Sequence, residues 1–174
     1  MAGRPIGRRI ISLTVLAALV VGLPGHAHAG STKISKNHCE TSGGGRFVEI
    51  PEFPKERIDR RLLADIEYLR DRFKIFIGDG YSLDESHRRD GEHPIGLALD
   101  ISPDASIGGS WRLIGKLARW AEPRQDRVQA PFRWVGYWGD KRHGPRNHLH
   151  LSWGHSPTRP KHPARTVSTI RCPD

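Results

Sequence analysis

"EHPIGLALDIS", residues 92–102, and "NHLHLSW", residues 147–153, decide how this chain folds. In the first, Leu97, Leu99 and Ile101 alternate with Ala98 and Asp100, the two-residue period of a strand with one buried face. In the second, His148, His150 and Ser152 fall on one face, and Leu149, Leu151 and Trp153 on the other. If both strands lie in one sheet, the leucines enter the core and Asp100, His148 and His150 meet on the opposite surface. His93 stands before Pro94, in the turn entering the first strand, and reaches that surface from the edge.

Two readings of these four residues are open: polar side chains scattered on strands, or a built metal site. Two imidazoles and a carboxylate suit zinc, and three protein ligands leave the fourth tetrahedral position for water. An open site of that kind makes hydroxide available near neutral pH. Four candidates exceed the three ligands required, so one of them is free to move a proton or to stabilise a developing oxyanion.

Outward from these strands, the apolar residues Ile58, Leu62, Ile66, Leu69 and Phe73 recur at helical spacing, which predicts a helix from Pro54 to Phe73. Pro54 suits its first turn. "KIFIGDGYS" reads as a strand entering a glycine turn, "SWRLIGKLARWAE" as a second amphipathic helix with Trp111 and Trp120 packing it on the sheet, and "FRWVGYWG" as a strand. "GDKRHGPRN", residues 139–147, is a basic glycine-rich loop. The order helix, strand, strand, helix, strand, strand predicts an α+β fold: a small antiparallel sheet with helices packed on one face and the histidine site on the other.

The ends differ in character from this central part, residues 54–155. Arg4, Arg8 and Arg9 precede an apolar run from Ile10 to Leu23, and "GHAHAG" then offers an A-x-A cleavage pattern, so residues 1–29 read as a secretory signal. The run is short for a membrane span, and no membrane association is expected after cleavage. Losing its three arginines takes the formal net charge from +9 to +6, which suits an anionic partner without naming it. A nucleic-acid binder has charge in its favour but no motif, so no specific nucleic acid is expected. Residues 30–53 read as a polar N-terminal arm, and residues 156–174 as a proline-rich extended tail. Cys39 and Cys172, in arm and tail, most simply form one disulfide in an exported chain. Closing a loop of that length contributes on the order of 4–5 kcal/mol in the chain-entropy account.

"HPIGLALDI" resembles the H-x-x-G-x-A-x-D-I signature of the zinc peptidases that group lysostaphin, D-alanyl-D-alanine metallopeptidases and hedgehog domains, and "HLH" matches their H-x-H. The resemblance spans roughly residues 55–155 and is nearest to the D-alanyl-D-alanine carboxypeptidase-like branch. It implies that His93, Asp100 and His150 bind zinc, that His148 is the catalytic partner, and that Gly96 and Ala98 keep the strand slim beside the metal. The implied activity is amide hydrolysis, by a secreted carboxypeptidase or endopeptidase acting on bacterial peptidoglycan peptides. Relatives often carry an arginine after a glycine–tyrosine pair to hold the substrate; here Ser82 follows Tyr81, and Arg88 or Arg89 is the expected substitute. That departure keeps a second reading open, a catalytically inactive zinc-containing domain that binds cell-wall material.

Overall fold

The computed structural model describes residues 30–35, 38–127, 130–138, 140 and 147–172. The expected signal segment and most of the basic loop, residues 141–146, lie outside the described residues. The chain opens with strands β1 (Gly30–Ser35), β2 (His38–Ser42), β3 (Phe47–Ile50) and β4 (Phe53–Asp59). Helix α1 (Leu63–Phe73), β5 (Ile75–Asp79), β6 (Ala98–Pro103), α2 (Trp111–Ala121), β7 (Phe132–Gly136) and β8 (Leu149–Trp153) follow in the expected order, and β9 (Thr166–Thr169) closes the chain. The architecture is α+β, with three antiparallel sheets: β1-β2-β9, β3-β4 and β5-β6-β8-β7.

The four-stranded sheet carries the site. Its register places Asp79 opposite Asp100, Asp100 opposite His150, and His150 opposite Gly136, one row across all four strands. Neighbouring residues on these strands point the other way: Leu99, Ile101, Leu149, Leu151 and Val135 are buried. Both helices lie on that apolar side, where Ile66, Leu69 and Phe73 of α1 and Ile114 and Leu117 of α2 join the same core. The strand period therefore sorts leucines to the helices and the Asp–His row to the opposite surface.

Helix α1 starts nine residues later than the spacing predicts. Phe53–Asp59 is a strand paired with β3, and Ile58 is buried at the strand's end rather than on a helix. Pro54 is tolerated because a two-stranded ribbon consists of edges. The helical stop-and-start signal is Asp59, whose side chain accepts a hydrogen bond from the Arg61 amide and caps a 3-10 turn leading into α1. Trp120 packs against Phe73, Tyr68 and Phe132 as expected of a core-facing residue, whereas Trp111 begins α2 and stays outside the core, 39% exposed.

Arm and tail belong to the folded body. β9 pairs with β2, Ile50 and Val167 enter the main core, and a disulfide joins Cys39 to Cys172. Asp65 of α1 clasps the tail from inside, accepting from the Ile170 amide at 2.9 Å, the Arg171 amide at 2.7 Å and the Trp153 indole at 2.7 Å. Among the described residues no helix is long and apolar enough to cross a membrane.

Candidate metal centre

His93 reaches the sheet from a turn that sequence and packing both fix. Residues His93–Ile95 form a 3-10 turn with Pro94 near its start, closed by Gly96 in the left-handed region at φ 68°. A Cβ at Gly96 would press on the Phe47 ring and the Asp59 backbone. The glycine thus serves the contact with the β3–β4 ribbon, where the Asp59 amide donates to the Gly96 carbonyl at 2.9 Å, instead of slimming a strand beside the metal. Ala98 lies in β6 and is fully buried.

Three imidazoles converge on one carboxylate oxygen. Asp100 Oδ1 lies 3.0 Å from His150 Nδ1, 3.4 Å from His93 Nε2 and 3.5 Å from His148 Nε2. His93 Nε2 and His150 Nδ1 are 3.3 Å apart. His93 Nδ1 lies 2.5 Å from the Gly80 carbonyl, which accepts only, so in the neutral ring the lone pair sits on Nε2 and points at the cluster. Ligands held about 2.0–2.1 Å from a tetrahedral ion stand about 3.3–3.4 Å from one another. The separations of His93 from His150 and from Asp100 match such an edge, that between His150 and Asp100 is the shorter one of a hydrogen bond, and the three form a group able to hold a metal ion. His148, just ahead of β8, is partly exposed and faces the same carboxylate from the open side.

The centre forms the wall of a cleft of about 700 Å³ lined also by Asp79, His87, Arg133 and Trp134. The Trp134 ring lies 4.7 Å from that of His150. His87 stacks on His93 with ring centroids 3.9 Å apart, and its Nε2 is 2.7 Å from Asp79 Oδ2. Asp79, His87 and His93 form a second group with ligand-like spacing. His93, however, has Nδ1 engaged by Gly80 and Nε2 in the first cluster, so both groups cannot be complete at once; Asp79 and His87 act as the wall behind His93. Neither carries a signal in the sequence beyond residue type: Asp79 joins the row through a register shift in β5, and His87 comes from a loop.

The two arginines expected to hold substrate are placed differently. Arg88 lines the cleft but is 78% exposed, with Nε and Nη2 both bound to Asp90. Arg89 is exposed and not among the lining residues. Ser82 is nearly buried, and its hydroxyl accepts from the Asp84 amide at 3.2 Å, so that position supplies no cation.

Proton affinities follow from this packing. Burial opposes charge on Asp100, but hydrogen bonds from His150 and His93 and their positive charge outweigh it and hold the carboxyl well below the usual range. Burial lowers His150, with Asp100 offsetting it in part, so the ring is neutral at neutral pH. On His93 burial also acts downward, but the hydrogen bond and charge of Asp100, then the Gly80 carbonyl, raise it above 6.5. In the metal-free protein, His93 stabilises the fold below its unfolded pKa and loses that effect as pH rises through its raised folded value. Asp100 does the reverse, losing its contribution as pH falls through its depressed one. A metal must displace the His93 proton. Zinc affinity measured calorimetrically is expected to fall as pH drops through the raised His93 value, approaching tenfold per unit below it, because one proton competes. A flat profile would exclude His93 as a ligand.

Gly80 is the support for that tautomer. The Tyr81 amide donates to the Arg57 carbonyl at 2.6 Å, and the carbonyl of the same peptide unit, Gly80, receives the His93 proton. A Cβ at Gly80 would collide with the Arg57 carbonyl. Gly80→Ala is expected to weaken zinc about 10- to 100-fold, the usual cost of losing an outer partner of a metal-bound histidine. Unchanged affinity by competition with a chromophoric chelator would show that the carbonyl does not orient the ring.

Comparison of the chain with models of protein families, with curated proteins and with solved structures yields no match.

Proposed function

We propose that the chain is an exported zinc metallopeptidase that hydrolyses peptide bonds of bacterial peptidoglycan, with the fold of the lysostaphin, D-alanyl-D-alanine metallopeptidase and hedgehog group. The observation that carries the reading is the convergence of three imidazoles on Asp100 Oδ1 at the wall of an open cleft. His93, Asp100 and His150 would hold the ion, whose two nitrogens and one oxygen suit zinc. When bound, zinc supplies Lewis acidity toward a carbonyl and a water molecule. His148 Nε2 accepts the proton released as water adds to the carbonyl carbon and returns it to the departing amine as the C–N bond breaks. Trp134 covers one side of His150 and limits water there. The disulfide fits an oxidising compartment, in keeping with the leader-like residues 1–29.

Ser82, in the place where relatives carry an arginine, favours a second reading, an inactive zinc domain that binds wall material. Mass spectrometry of soluble products from purified peptidoglycan separates the two. New peptide fragments that disappear with chelator and with His148→Ala would support the peptidase, and their masses would identify the bond. Intact peptidoglycan in the presence of one tightly held zinc per chain would overturn it in favour of the binding domain.

A further inference from the structure

Resting on the peptidase reading, we propose that Arg133 is the specificity residue of the cleft: it grips a carboxylate of the peptide substrate beside the scissile bond.

The position is made by a bulge. In the pairing of β7 with β8, Phe132 faces Trp153 and Trp134 faces Ser152, so two steps on one strand match one step on the other and Arg133 is the extra residue. Phe132 and Val135 point to the core and Trp134 to His150. A bulge re-aims the side chain it carries, and here that side chain joins the lining of the cleft. A regular strand could not bury both Phe132 and Val135, three residues apart; the bulge between them permits it and leaves Arg133 outside the core.

The guanidinium is held from behind and open in front. Its Nε donates to Glu92 Oε1 at 2.8 Å, and Nη1 lies 3.4 Å from His155 Nε2. Burial lowers His155, which keeps that ring neutral and able to accept. Glu92 is 13% exposed, while the arginine side chain is 54% exposed. Glu92 takes one N–H and His155 faces a second, so three of the guanidinium's five, two of them on Nη2, remain to donate to a carboxylate. Arg88, the other cation of the wall, has its fork taken by Asp90.

The charge around it sharpens the selection. Asp90 is taken by Arg88, Asp79 faces His87 and Asp100 belongs to the metal centre, so Arg133 is the cation of the cleft wall left with donors for an entering carboxylate. Glu92 also directly precedes His93, which ties the position of the cation to that of the metal ligand.

The carboxylate has two sources, the end of a peptide or an acidic side chain within it, and four probes distinguish them. Acyl-D-alanyl-D-alanine would be compared with its C-terminal carboxamide, and an interior D-glutamyl peptide with its D-glutaminyl counterpart, on the zinc-loaded full chain. Arg133→Ala is expected to lose about 10- to 100-fold in kcat/KM on one carboxylate probe, mainly through KM, and to change little on the matched amide. Arg133→Lys should recover part of the loss as a point charge without the fork. Zinc content, measured for each variant, should remain one per chain. Calorimetric binding of the same probes to the His148→Ala chain and to its Arg133→Ala double variant is read independently of turnover. If the wild type cleaves none of the probes, the peptidase reading fails for them, yet a carboxylate preference lost with Arg133 still supports the grip. Equal losses on carboxylate and amide, or binding without preference or not at all, would overturn it.

Discussion

Replacing Arg61 with methionine is expected to lower the unfolding free energy by about 3–5 kcal/mol, the cost of stranding a buried charge. Arg61 and Asp59 are both buried and meet edge to edge, Nε to Oδ1 at 2.9 Å and Nη2 to Oδ2 at 2.7 Å. Nη2 also donates to the Ala164 carbonyl at 2.7 Å, and Nη1 faces the carbonyls of Arg165 at 3.3 Å, and of Thr41 and Gly43 at 3.4 Å. One side chain therefore joins the entry to α1, the end of β2 and the tail. Methionine fills much of the space but leaves the Asp59 carboxylate without its partner in a place water does not reach. The double variant Arg61→Met, Asp59→Asn should recover part of the loss, since it removes the stranded charge. Urea denaturation of the oxidised protein is the measurement, and a loss below about 1 kcal/mol would mean the pair behaves as a surface ion pair. With the disulfide reduced, the loss should grow, because Cys39–Cys172 holds the same arm and tail that the guanidinium bridges. The effect reaches the site as well: the Asp59 amide holds the Gly96 carbonyl, and Gly96 closes the turn that carries His93.

What the sequence made legible follows from periods short enough to be unambiguous. The alternation in β6 and β8 placed Leu99, Ile101, Leu149 and Leu151 against the helices and Asp100 with His150 on the other face, and the register sets these two directly opposite. α2 was legible from its amphipathic spacing, which its buried face Ile114, Leu117, Ala118 and Ala121 follows, and Ser110 caps it. The start of α1 was not, because Ile58 sits four residues before Leu62 whether it ends a strand or begins a helix. Asp59 was the better signal, and it was masked by the run of apolar positions. The wall of the cleft was least legible. Asp79 and Arg133 reach it through irregular register, and a bulge leaves no trace in a pattern of apolar and polar residues. His87 arrives on a loop, where nothing periodic constrains its direction. The role of Arg61 was hidden for another reason: an arginine in an apolar stretch reads as solvent-facing until its carbonyl partners, more than a hundred residues away in the tail, are in place.

Asp100→Asn is expected to weaken zinc by more than about 100-fold, exceeding the 10- to 100-fold cost of losing an outer partner, and on the proposed peptidase reading to abolish hydrolysis with it. The substitution keeps the shape of the side chain and its place opposite His150, and removes only the charge. That charge is where the imidazoles meet, with His150, His93 and His148 all within 3.5 Å of Oδ1. It also raises His93, so in the variant the fall in zinc affinity with acid should move to a lower pH. Thermal unfolding without metal should move to lower temperature as well, because the variant loses what the depressed Asp100 carboxyl and its imidazole partners contribute to the metal-free fold. Zinc bound at this centre would stabilise the wild type by about 4 kcal/mol at a thousandfold excess over Kd, and that gain should shrink in the variant at the same zinc concentration. The neighbouring group of Asp79, His87 and His93 makes the outcome decisive, since it shares His93 but not Asp100. If the ion sits in the proposed centre, His87→Ala keeps most of the affinity while Asp100→Asn loses it. The opposite pair of results would move the metal to the far side of the His93 ring, facing Asp79, and would leave His148 without an ion to serve.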